Sequence, residues 1–177
     1  MKLIAPLLLA AAAGAQAHIT LEQPEAEAGK PYKAVLRVGH GCAGGAATKE
    51  IVVTLPAGLR DAKPSPKPGW ALSVRRAPLA KPYESHGKPV TDEAAEIRWT
   101  ARSEADQLPD AWYDEFVLRA TLPAEPGPLW FKVRQVCTEG EWNWADIPTA
   151  GAGTGGLKAP AVRLLVKPAA EAAGHVH

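Results

Sequence analysis

The chain has 177 residues, 20 of them Lys or Arg and 19 Asp or Glu, and 46% of them hydrophobic. A balance this even, with no Lys/Arg cluster, lacks the electrostatic footprint of a nucleic-acid binder, so a polyanionic partner is not expected. With 17 Pro and 16 Gly the sequence argues against long helices and for many short extended segments joined by turns.

Residues 1–17 carry one basic residue, Lys2, then an apolar run from Leu3 to Ala13 interrupted by Pro6, then the triplet Ala15-Gln16-Ala17. This is the pattern of a secretory signal ending at an A-x-A cleavage site. The run is shorter than the roughly 20 apolar residues that span a bilayer, and no later segment reaches that length. The expected product is therefore exported, periplasmic and without a membrane anchor. Loss of Lys2 leaves basic and acidic side chains equal in number.

Cleavage there makes His18 the first residue, and its α-amine joins the ring Nδ1 as a chelating pair. Imidazole and amine are donors that Cu(II) prefers in a tetragonal arrangement. The amine has a reference pKa of about 7.7–8.0, so the cost of deprotonating it near neutrality is small. Two nitrogens leave copper short of ligands, and carboxylates are the natural complement. Glu22, Glu25 and Glu27 follow His18 directly. The competing reading makes His18 an ordinary residue left first by accident of processing.

Period-two alternation marks strands over residues 33–38, 50–55, 70–74, 96–100, 114–122, 129–136 and 162–166. In the second of these Ile51, Val53 and Leu55 share a face. In the fifth, Phe116, Leu118, Ala120 and Leu122 point to the core, and Glu115 points away, opposite to Asp114. Between the strands lie the breakers "GHGCAGG", "LPAGL", "KPSPKPGW", "LPAEPGP" and "TAGAGTGG". About seven short strands with these turn signals predict an all-β fold, a single-domain β-sandwich over residues 18–166. The stretch "KPSPKPG", residues 63–69, is expected to be a loop within that domain. Residues 167–177 are expected to be a disordered tail, with His175 and His177 a solvated end or a minor metal site.

The two cysteines, Cys42 and Cys137, default to one disulfide in an oxidising compartment, since a widely split pair without neighbouring ligands suits a thiolate metal site poorly. Trp70, Trp99 and Trp130 sit in or beside strand patterns and are expected in the core. Trp142 and Trp144 lie in the polar stretch "EWNWADIP", which the disulfide would tether to the "GHGC" loop. Two readings stand for them: an indole that shields a copper ion and favours Cu(I) by cation–π attraction, or a plug at the end of the sandwich. His40 in "GHGC" and His86 in "YESHGKP" are each either a second imidazole or a loop residue bonded to backbone.

The segments "AHITLEQPEAEAGKPYKAVLRVGHGC", "KPGW", "YESHGK", "LPDAWYDEFVL" and "QVCTEGEWNWADIP", in this order, resemble the YcnI-like family of exported bacterial copper-binding proteins. The similarity runs from His18 to about Ala161. It implies an immunoglobulin or cupredoxin-like β-sandwich whose amino-terminal histidine binds Cu(II) through amine and ring, with acidic residues completing the site and a tryptophan nearby. On this sequence the resemblance makes His18 the histidine, Trp144 the tryptophan and either Glu115 or Glu25 the carboxylate. It also supports the Cys42–Cys137 disulfide. Gly39 departs from the family, in which proline is more usual at that position.

The expected function is that of a periplasmic carrier or metallochaperone in copper homeostasis, not an enzyme. A membrane copper transporter or another periplasmic copper protein is the implied partner. Two rivals remain. One is a copper-dependent polysaccharide monooxygenase in which His40 or His86 completes a two-histidine brace with His18. The other is a structural sandwich that binds no metal.

Overall fold

The computed structural model describes residues 18–170, so the signal segment, His175 and His177 lie outside the described residues. Eleven strands and two single-turn 3₁₀ segments make up the regular structure, with no α-helix among the described residues. The strands are β1 (Thr20–Leu21), β2 (Glu25–Glu27), β3 (Pro31–Val38), β4 (Thr48–Thr54), β5 (Arg60–Pro64), β6 (Trp70–Ser85), β7 (Lys88–Ala101), β8 (Asp114–Thr121), β9 (Gly127–Cys137), β10 (Glu141–Trp144) and β11 (Val162–Lys167). A four-stranded sheet runs β1-β3-β8-β5. It faces a seven-stranded sheet ordered β2-β11-β9-β4-β7-β6, to which β10 is added beside β9.

All seven predicted segments fall on strands, and the inward faces predicted for residues 50–55 and 114–122 are buried. Ile51, Val53, Ile97, Phe116, Phe131, Val133 and Leu164 have no exposed surface. At the centre Phe116 meets Trp70 and Trp99 edge to face, with ring centroids 5.0 and 5.6 Å apart. Each such pair adds about 0.5–1.5 kcal/mol beyond simple burial. The Trp99 indole N–H donates to the Ser65 carbonyl at 3.0 Å, which seats the proline-rich loop against the core.

Four expectations are corrected. Trp130 is half-buried on the outer face of β9, because Phe131 takes the inward position beside it. Lys63 and Pro64 are not loop residues: they form the end of β5 and pair with Arg119 and Leu118. Lys167 is the last residue of β11, not the first of a tail, and pairs with Glu27. The strands around residues 70–74 and 96–100 extend into one long hairpin, β6–β7, closed by the two-residue turn His86-Gly87. Both turn residues have positive φ, 51° and 71°, the conformation that matches the twist of hairpin strands.

Tyr32, buried on β3, donates its hydroxyl to the Gln23 carbonyl at 2.6 Å and so ties the β1–β2 connection to the core. Burial, reinforced by the charge of Glu22, pushes its pKa from 10.0 up to about 12. The folded value lies above the unfolded one, so this contribution is complete below pH 10 and is lost between pH 10 and about 12. Urea midpoints measured across this window are expected to fall, and to fall less in Tyr32→Phe. Equal slopes in the two proteins would contradict this.

Candidate metal centre

His18 stands two residues before β1, where the buried Ile19 and Leu21 pin the chain to the sandwich edge. Its ring meets Trp144 in a T-shaped contact, with centroids 5.5 Å apart and planes at 71°. Its Nε2 is buried and finds no hydrogen-bond partner among the described residues.

Trp144 is 1% exposed, and its position follows from strand register. In β10, Trp144 pairs with Val133 and Trp142 with Gln135, so both indoles lie on the core face and stack at 5.3 Å. The polar stretch "EWNW" is thus an alternating strand with a tryptophan at each inward position.

Gln135 secures the arrangement. Its Oε1 accepts the Trp144 indole N–H at 3.2 Å. Its Nε2 donates to the His40 carbonyl at 2.7 Å and to Thr48 Oγ1 at 2.8 Å. An indole nitrogen can only donate and a carbonyl can only accept, so the orientation of the amide is fixed by its partners. Gln135 and Thr48 are both fully buried. The residue was not singled out from sequence, although "FKVRQVC" shows a glutamine at an inward position of an alternating strand.

His40 joins the same indole, with centroids 6.2 Å apart and planes at 82°. Its Nδ1 donates to the Gly41 carbonyl at 2.5 Å. The loop is held from three directions: by the Cys42–Cys137 disulfide, by Asp110, which accepts the Gly41 N–H at 2.7 Å, and by Gln135. His86, the other candidate for a second imidazole, sits in the hairpin turn and is not part of this cluster.

The two candidate carboxylates are seated elsewhere. Glu115 lies on the outer face of β8 and accepts the Tyr113 hydroxyl. In register it belongs to the row Thr20, Arg37, Glu115. It is therefore two strands across and two residues along from His18, about 12 Å between Cα atoms by strand geometry. Glu25 pairs in β2 with Leu165 and forms an ion pair with Lys167. Among the described residues no group of three or more His, Cys, Asp or Glu side chains is arranged to hold a metal. Any such site at His18 would need donors that are not side chains of this set, and the α-amine of a processed chain is one.

The family described as a domain of unknown function (DUF1775) matches residues 18–166, beginning at His18. The crystal structure of an uncharacterized protein from Nocardia farcinica, described as an immunoglobulin-like fold, aligns over 84% of this chain and 97% of its own at 25% identity and a TM-score of 0.64. The seventh ScaB type I cohesin from Pseudobacteroides cellulosolvens aligns over 90% and 97% at 10% identity with a TM-score of 0.43. No curated protein matches the chain.

Proposed function

Because the chain belongs to the DUF1775 family, the domain of YcnI-like proteins, with an immunoglobulin-like sandwich and His18 as its first matched residue, we propose that it is an exported, periplasmic copper-binding protein. In this reading it is a carrier that captures Cu(II) through the amine and Nδ1 of His18, with a carboxylate as complement. Trp144 packs against the Nε2 side of the His18 ring and orients it, leaving Nδ1 for the metal. A membrane copper transporter or another periplasmic copper protein would receive the cargo.

The observation that carries this reading is the buried, unpaired Nε2 of His18 beside Trp144. A T-shaped contact suits a ring N–H directed at an aromatic face, a weak bond that favours the proton on Nε2. The lone pair then resides on Nδ1, the nitrogen that forms a six-membered chelate with the residue's own amine. The fold buries the nitrogen this chelate does not use.

Titration calorimetry with Cu(II) tests this on the chain beginning at His18 against a chain retaining one alanine before it. The extension blocks the amine and is expected to weaken binding at least about 100-fold, the upper scale for disturbing a metal site. Equal affinities would overturn the reading.

The presence of His40 on the same indole favours one rival, the two-histidine brace of a copper monooxygenase. EPR of the Cu(II) form separates the two, because the carrier reading expects one imidazole nitrogen coupled to copper and the brace expects two.

A further inference from the structure

A groove of about 470 Å³ opens beside His18, between the β1 edge and β11. This volume falls within the range of small-molecule sites. Its charged lining is of one sign: Arg37 from β3 and Arg163 from β11, with no Asp or Glu. Trp130, half-buried and directly across from Arg163 in the β9–β11 ladder, supplies a flat apolar wall.

Neither guanidinium forms an ion pair among the described residues. Arg37 has Glu115 as its cross-strand neighbour on the outer face, the natural place for an ion pair. The Glu115 carboxylate instead takes the Tyr113 hydroxyl, and Arg37 directs one N–H to the Leu21 carbonyl at 3.3 Å, at the groove wall. Arg163 is exposed, and no carboxylate among the described residues lies within ion-pair distance of it. Glu22, the nearest acid along the chain from His18, is exposed and does not line the groove.

We propose that this groove binds a small polycarboxylate anion through Arg37 and Arg163, and that the anion supplies the acidic donor to the metal held at His18. Its second half rests on the copper reading above. Both arginines line the same groove, and a guanidinium recognises a carboxylate in fixed, charge-assisted geometry. A molecule with several carboxylates can meet the arginines with one and present another to the imidazole end. Copper would then be exchanged as a carboxylate complex.

The test uses citrate as probe, first without metal, on the chain beginning at His18. Calorimetry is expected to show 1:1 binding, and nitrogen NMR to show shifts in the Trp130 indole and Arg163 Nε signals. Arg163→Gln, an exposed position whose replacement leaves the core intact, is expected to weaken binding at least tenfold, as is Arg37→Gln. Unchanged citrate affinity in both variants, or no binding to the native chain, would overturn the proposal. Repeated with Cu(II), citrate is expected to raise copper affinity in the native chain and not in Arg163→Gln. Citrate binding without any copper binding would leave the anion site standing and overturn the copper reading. Copper binding indifferent to citrate would overturn the link between the two sites.

Discussion

Gln135→Leu is expected to lower stability by about 3 kcal/mol, seen as a lower urea midpoint at an unchanged slope. Leucine recovers the packing of the glutamine stem, but leaves the buried Trp144 indole N–H without its acceptor and removes one hydrogen bond each from Thr48 Oγ1 and the half-buried His40 carbonyl. A buried polar group costs about 1–3 kcal/mol when left without a partner, and partial rescue by water keeps the sum toward the lower end. Gln135→Glu is expected to be at least as destabilising at neutral pH, because burial penalises the ionised carboxylate and even the protonated acid has one donor where the amide uses two. A loss below 1 kcal/mol for both variants would mean that the amide does not hold the indole. Near-ultraviolet dichroism of the tryptophans reports the same event independently, since Trp142 and Trp144 stack only while both keep their inward rotamers.

Removal of the disulfide is the other large effect. Cys42 and Cys137 are separated by 95 residues, and closing a loop of that length stabilises the native state by about 4–5 kcal/mol in the chain-entropy account. Both cysteines are buried, so the paired change Cys42→Ala and Cys137→Ala also leaves small cavities, and the total loss is expected to reach at least about 4 kcal/mol. The loss should extend to the site. The bridge joins the loop carrying His40 to the end of β9, where Gln135 stands two residues away, so its removal should release the loop and expose Trp144 to quenching by iodide. A variant with a native melting temperature would show that Asp110 and Gln135 alone hold the loop.

Much of the architecture can be read from pattern. Phe116, Leu118 and Ala120 on β8 are buried while Val117 and Arg119 between them are less so, and Ile51 and Val53 on β4 share the inward face although Val52 between them is buried as well. Where the pattern fails, both faces of the ladder share one environment or a strand is very short. The β6–β7 hairpin beyond Arg75 is exposed along most of β6, so no selection for alternation marks it. What seats its far end is the buried Glu93, which accepts the Asp61 N–H at 3.0 Å and the Tyr83 hydroxyl. β1 and β2 hold two and three residues, too few to show a period. Trp130 was misread because tryptophan suggests core by type, while its parity beside Phe131 turns it outward toward the groove.

By itself the sequence determined the class of fold and the identity of the disulfide, because these rest on local period and on there being two cysteines. The tertiary structure alone decided that His18 and His40 converge on Trp144, that Gln135 locks that indole, and that Glu115 and Glu25 are engaged elsewhere. Alternation states which face a side chain takes but not which strand lies beside it. The pairings of β10 with β9 and of β1 with β3 are local along the chain, but the convergence joins His18 and His40 to Trp144, more than a hundred positions away, and no local pattern encodes that meeting.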